Sequence, residues 1–379
     1  MSEIVPFRLN VPQADLDDLA DRLDRTRWPY ELPGIGWDHG IPVDRVKELA
    51  RHWRTAFDWR AQEARLNAFP QFTTEIDGAN VHFVHVRSPE PDALPLIITH
   101  GWPSTVADFL DVIGPLTDPR RHGGDPSDAF HVVIPSLPGF TLSGPTRETG
   151  WDVNRIARAW ASLMERLGYE RYGAQGGDWG WPISNALGAV AEGAEGRVVG
   201  VHLNYLASPP LGDAVTELSD DDRKRVERQK AYVANPAGYW QMQATRPQTV
   251  AYGLTDSPVG QLAWIADKVT EWTDPASGMD DDRLLTAVTL YWLTGTAGSA
   301  ARLHRENASR GGPPAPCPVP LGVAVFAHDL VLPVRRLVER VYDVVHWTEF
   351  GRGGHFPAVE APDLLTGDIR AFFRLLREK

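Results

Sequence analysis

Arg171 to Pro182, reading RYGAQGGDWGWP, restricts the fold more than any other stretch of the chain. A short run enters a sharp turn with Gly176 two residues before Asp178 and Gly180 two residues after it, and a helix-forming segment, Ser184 to Ala191, follows. A strand that turns abruptly into a helix brings its backbone close to neighbouring chain, and side chains at the flanking positions would clash. Glycines there predict a nucleophile elbow with Asp178 at its tip. A Ser at such a tip attacks acyl carbon and needs a base, whereas an ionised Asp can attack a saturated carbon directly and become an alkyl ester. Taken alone, the pentapeptide around Asp178 is equally compatible with a glycine-rich turn that has no chemistry, because short motifs often match by chance.

At 379 residues the chain suggests two or three domains, or one large domain with insertions. With 42% hydrophobic and 23% charged residues it reads as a globular protein, and the formal charge of −12 argues against nucleic acid and anionic membranes as partners. Cys317 is the only cysteine, so an intrachain disulfide framework is excluded, and it reads as a bystander thiol. Met1 to Asn10 carries no basic apolar signal and no apolar run reaches the length of a membrane span, which makes a cytoplasmic protein the expectation. Fourteen tryptophans fit an aromatic-lined apolar pocket as well as a core.

Residues 1–90 form a first unit, expected to wrap around the main domain. It holds amphipathic helices over Gln13 to Arg25 and Val43 to Ala56, then strands Phe72 to Glu75 and Asn80 to Val86 about the Asp77-Gly78 turn. From 91 to 208, short apolar runs alternate with amphipathic helices, an α/β signature with a mostly parallel sheet. The strands are Leu94 to Thr99, Phe130 to Pro135, the run into the elbow, and Val198 to Leu206, with a helix over Val153 to Leu167. Residues 209–318 read as a mainly helical lid (Asp220 to Ala234, Gly260 to Trp272, Asp282 to Leu293), leaving through the linker Gly311 to Pro316. Residues 319–379 resume the sheet with Leu321 to Phe326, a helix over Pro333 to Tyr342, the strand Val344 to Phe350 and a final helix over Pro362 to Arg377.

Three chemistry-bearing residues then follow strands in the order nucleophile, acid, base: Asp178, Asp329 and His355. That is the chain order of the α/β-hydrolase triad. An ester on Asp178 must be released by water, for which a neutral His355 is suited as general base, with Asp329 orienting its ring. The loop His100 to Ser104, just after a buried strand, offers the backbone N–H of Trp102 to a developing oxyanion, and Trp179 offers a second. A helix starting near Ser104 would add its dipole. His100 precedes this turn and is read as holding the loop rather than as a base.

The whole chain resembles the microsomal type of epoxide hydrolase, in a soluble bacterial form without the N-terminal membrane anchor. The likeness rests on Arg25 to Pro29 (RTRWP), His100 to Pro103 (HGWP), Gly176 to Gly180 (GGDWG), and Gly238-Tyr239 through Thr249. Asp256 to Gly260 (DSPVG) and Arg352 to Phe356 (RGGHF) complete it. It implies an α/β-hydrolase fold with a helical lid, Asp178 as nucleophile, Asp329 and His355 as charge partner and base, and Tyr239 as one of two lid tyrosines that protonate the epoxide. The family's second tyrosine falls on His304 here. Either His304 donates in its place, Tyr239 acts alone, or another residue has taken over; a charged imidazole costs more to bury than a neutral phenol.

The expected reaction is hydrolysis of an apolar or aromatic epoxide to a vicinal diol, with water as co-substrate and no metal or organic cofactor. By resemblance, natural-product pathways such as those to enediynes are the setting, and a homodimer is the family expectation. A haloalkane dehalogenase would use the same Asp nucleophile, with Trp179 compatible with halide binding. A ligand receptor on the same fold would not require the base and its orienter.

Overall fold

The computed structural model describes residues 3–190, 197–210, 218–234, 238–277, 279–310 and 317–377. The linker expected over Gly311 to Pro316 and the last residue of the expected elbow helix, Ala191, lie outside them.

A single nine-stranded sheet organises the described residues, in the order β1-β2-β3-β5-β4-β6-β7-β8-β9. The strands are β1 (Val5–Phe7), β2 (Gln71–Ile76), β3 (Ala79–Val86), β4 (Leu94–Thr99), β5 (Phe130–Pro135), β6 (Tyr172–Gly176), β7 (Val198–Leu203), β8 (Leu321–Phe326) and β9 (Val344–Phe350). The first three run antiparallel and join β5 through β3, and every pairing from β5 through β4 to β9 is parallel. The chain is thus an α/β protein in which the N-terminal hairpin extends the main sheet. Alternate residues of β4 serve two cores: Ile97 faces the cluster containing Trp160 and Ile183, while Leu96 and Ile98 face the one containing Phe372 and Phe373. Burial on both faces is why these strands read as unbroken apolar runs.

Three helices, α1 (Gln13–Asp24), α2 (Val43–Thr55) and α3 (Trp59–Leu66), precede the hairpin, and α4 (Leu110–Thr117), α5 (Val153–Arg166) and α6 (Gly180–Val190) connect the central strands. Between β7 and β8 the described residues form six helices: α7 (Asp220–Ala234), α8 (Gly238–Thr245), α9 (Pro247–Asp256), α10 (Pro258–Trp272), α11 (Asp281–Thr294) and α12 (Ala297–Arg310). The chain ends with α13 (Arg335–Val338), α14 (Pro357–Glu360) and α15 (Pro362–Arg377).

Several boundaries differ from the sequence reading for local reasons. The helix expected from near Ser104 opens as a 3-10 turn, Val106–Phe109, because Thr105 and Asp108 form a reciprocal capping box that fixes the entry. The elbow helix starts at Gly180, and the helix expected over Pro333 to Tyr342 is held to Arg335–Val338. Neither β1 nor α3 was anticipated: β1 has three residues, and α3 is a short helix whose N-cap is Asp58.

The pairing of β4 with β6 sets Thr99 opposite Gly176, which brings the residues after both strands side by side. A Cβ on Gly180 would lie 2.1 Å from the Thr99 carbonyl oxygen, a backbone atom that cannot swing away. Gly180→Ala is therefore expected to destabilise the protein by roughly 3 kcal/mol, the upper end of overpacking costs. The check is the midpoint of denaturant unfolding; a wild-type midpoint would refute so close an approach.

Candidate active site

Asp178 sits in the turn between β6 and α6 with φ at +51°, a left-handed conformation that costs a non-glycine residue roughly 1–2 kcal/mol. The turn is closed by Gly180 N–H donating to the Gly177 carbonyl at 2.7 Å and Trp181 N–H to the Asp178 carbonyl at 3.1 Å. It presents the carboxylate to the loop after β4, where Trp102 N–H donates to Oδ1 at 2.8 Å. The Trp179 N–H is the second backbone donor to the same carboxylate. A Cβ on Gly101 would lie 2.1 Å from Asp178 Oδ1, so the loop approaches this closely only as glycine.

His355 and Asp329 arrive from the adjacent ends of β9 and β8. Asp329 Oδ1 stands 2.7 Å from His355 Nδ1 and also accepts from Leu330 N–H at 2.7 Å. On the other side of the ring, Nε2 is 3.4 Å from Asp178 Oδ2. The His355 and Asp329 side chains are 2% and 3% exposed, whereas Asp178 keeps 24%, so of the three the elbow carboxylate is the one a ligand can reach.

Burial works against the charge on His355, but the Asp329 carboxylate, its hydrogen bond at Nδ1 and the close Asp178 carboxylate outweigh it and raise its pKa to about 10. Burial likewise works against the Asp178 charge. The hydrogen bond and charge of His355, with the N–H groups of Trp102 and Trp179, hold it below the usual carboxylate value. At neutral pH His355 is therefore an imidazolium facing the Asp178 carboxylate.

The loop that carries His355 is pinned by two acids absent from the sequence reading. Glu360 accepts from the N–H of Gly354 at 2.9 Å and Phe356 at 2.8 Å, and Asp274 accepts from Gly353 N–H at 2.8 Å. His355 N–H itself donates to the Trp272 carbonyl at 2.9 Å. No motif marks these acids, because what they bind is backbone. His100 does hold its own loop: Nε2 accepts from Leu137 N–H at 3.1 Å, while Nδ1 lies 2.9 Å from the Gly101 carbonyl. Burial lowers its pKa to about 4.

Asp178 opens onto a cavity of about 360 Å³ shared with Trp179, Tyr205, Tyr232, Tyr239 and His304. Tyr239, from α8, stacks on Trp102 with ring centroids 5.0 Å apart, and its hydroxyl lies 3.4 Å from that of Tyr232. Tyr205 sets its ring edge-on to His355 at 5.1 Å. His304, from α12, packs edge-on against the Trp179 ring at 4.9 Å, with the Gln243 amide nitrogen 3.2 Å from both of its ring nitrogens. Trp264 Nε1–H donates to Gln243 Oε1 at 3.2 Å, which turns the Gln243 amide donor toward His304. Burial lowers the His304 pKa to about 4. A neutral ring is also what an amide donor requires, since an imidazolium has no lone pair to offer. Tyr205 and Tyr232 were not singled out from the sequence; a lone aromatic near the end of a strongly charged helix is the one signal Tyr232 left.

Residues 4–109 match the family described as "Epoxide hydrolase N terminus". A putative epoxide hydrolase of Stigmatella aurantiaca is 44% identical over 99% of this chain and 86% of its own length. The chain belongs to the microsomal-type family of epoxide hydrolases. Epoxide hydrolase 1 of Sus scrofa is 33% identical over 99% of the chain and 90% of its own length. Among solved structures, the Aspergillus niger epoxide hydrolase superposes with a TM-score of 0.89 at 32% identity, covering 99% of this chain and 97% of that one. The juvenile hormone epoxide hydrolase of Bombyx mori gives 0.91 at 26% identity, covering 100% and 96%. The fold is accordingly the α/β-hydrolase fold, and the protein is a hydrolase.

Because Asp178 supplies part of what keeps the proton on His355, neutralising it releases that proton at lower pH. In Asp178→Asn the His355 pKa is expected to fall below its wild-type value, by an amount that imidazole nitrogen NMR across a pH titration reads directly. An unchanged value would show that Asp329 alone holds the charge.

Proposed function

We propose that this epoxide hydrolase converts an apolar or aromatic epoxide to a vicinal diol through a covalent ester on Asp178. The observation that carries the reading is the pairing of a partly exposed elbow carboxylate, held by the Trp102 N–H, with an imidazole set between it and Asp329. The aromatic walls and 360 Å³ volume of the cavity support a bulky apolar substrate.

In the first step a carboxylate oxygen of Asp178 bonds to a ring carbon, the ring C–O bond breaks, and the departing oxygen takes the hydroxyl proton of Tyr239. Alkylation removes the negative charge of Asp178 and with it part of what kept His355 protonated. The His355 proton passes to the tyrosinate, leaving a neutral imidazole. That imidazole takes a proton from water as the water oxygen attacks the ester carbonyl carbon, and the N–H groups of Trp102 and Trp179 stabilise the oxyanion. Collapse expels the diol oxygen, which His355 protonates, and the acid proton left on Asp178 returns the ring to its imidazolium. The balance is epoxide plus water to diol.

A chamber of about 30 Å³ behind Asp178, bordered by His355, Ser104 and Asn204, is large enough for a water molecule beside the ester. A place in natural-product biosynthesis belongs to the same reading and rests on family resemblance alone.

A single turnover of excess enzyme with styrene oxide in oxygen-18 water is the test. The first diol should carry an unlabelled protein oxygen, and the peptide containing Asp178 should gain the label. A diol labelled directly from solvent would remove Asp178 from the nucleophile's role. His355→Gln should form the ester yet hydrolyse it at least 100-fold more slowly, in line with the contribution of a general base, so that alkylated protein accumulates in the mass spectrum.

A further inference from the structure

His304 stands where the family's second tyrosine is expected, yet burial and its Gln243 partner hold it neutral. Another group close to Tyr239 has the proton and the position that His304 lacks. We propose that Tyr232 is the second ring-opening acid, its hydroxyl paired with that of Tyr239 in the cavity that holds Asp178. This rests on the epoxide-opening reading above.

The helix that carries Tyr232 is fixed to the sheet in a way that its own composition does not explain. Asp220 to Ala234 is strongly charged, with Val226 its buried apolar residue. Besides the packing of Val226 with Leu218, Val334 and Leu337, it is held by polar clamps along one side. Arg225 pairs with Glu349 at 2.7 and 2.9 Å and donates to the Pro333 carbonyl at 3.2 Å. Arg228 donates to the carbonyls of Asp329 and Leu330, the loop that orients His355. Gln229 both accepts from Ser208 N–H and donates to its carbonyl, at 2.8 and 2.9 Å. Tyr232 lies four residues after Arg228, one helical turn along the same face. The clamp that ties the helix to the Asp329 loop therefore also aims the phenol into the cavity.

Two phenols in contact divide the work of one acid. When the ring C–O bond breaks, the departing oxygen takes one phenolic proton, and the second hydroxyl donates a hydrogen bond to the oxygen that carries the charge, whether the epoxide oxygen or the new tyrosinate. Hydrogen bonds to an ionised oxygen are roughly twice as strong as neutral ones. Desolvation raises both phenols above the usual value, Tyr232 to about 12, so both retain their protons at working pH. His355 later returns the transferred proton, as above.

The test follows both half-reactions of Tyr232→Phe with styrene oxide, by rapid quench and mass spectrometry of the Asp178 peptide. Ester formation should slow by about 10–100-fold, below the full worth of a general acid because Tyr239 remains, while hydrolysis of the ester stays within twofold of wild type. Ester formation at the wild-type rate, or equal slowing of both steps, overturns the proposal. A fluorinated tyrosine at position 232 keeps the shape and lowers the phenol pKa, so ester formation should decline at lower pH than in wild type; an unshifted profile also overturns it. If wild type itself forms no Asp178 ester, the reading under Proposed function fails and this one with it. If wild type forms the ester and the variants match it, only the role of Tyr232 falls.

Discussion

Two carboxylates flank one imidazole in a site largely withdrawn from water, and the surrounding structure is arranged around keeping those charges together. A buried charge is tolerable only when paired and hydrogen-bonded, and removing one member of such a set is far more disruptive than its net worth suggests. Each member here has further support. Asp178 has backbone donors from two loops, Asp329 has the Leu330 N–H, and the His355 ring is packed by Trp272 and Tyr205, each 5.1 Å away. In the proposed reaction the same arrangement would supply the means of changing state, because an ester on Asp178 would delete one negative charge and turn the imidazolium into a base.

The helices between β7 and β8 are attached to this centre by two different kinds of contact. α10 contributes Leu262, Ile265 and Trp272 to the main core, the cluster that also takes Leu23 of α1 and Val46 of α2. Arg22 to Asp256 at 3.3 Å and His52 to Asp282 at 2.6 Å add polar ties from the N-terminal helices to α9 and α11. The stretches around Arg25–Pro29 and Asp256–Gly260 face each other across a cavity of about 490 Å³, so the N-terminal segment braces α9 and α10. α7, by contrast, adds to one small apolar cluster about Val226 a set of arginine and glutamine contacts to loops of the sheet. A helix held that way depends more on geometry than on apolar area, and small changes in those loops reach the cavity through it.

Much of this was legible in the residues because the informative features are local. The strand boundaries of β4, β5, β8 and β9 follow from short apolar runs ended by turn residues, and the elbow from glycines that no other residue could replace. Less legible were elements whose cause is distant: Glu360 and Asp274, which bind backbone of the His355 loop, and α3, short and without an apolar stripe. His304 lines the cavity, but its charge state depends on Gln243 and on burial, neither of which is written in its neighbours along the chain.

The sequence by itself determined the α/β-hydrolase sheet, the family, and which residues stand at the ends of its strands, because backbone conformation and burial pattern are set by neighbouring side chains. Tertiary structure alone decided the distances among Asp178, His355 and Asp329, the charge on the ring between them, and the meeting of Tyr232 with Tyr239. Those quantities depend on how separately specified segments pack, and on how far each group is taken out of water when they do.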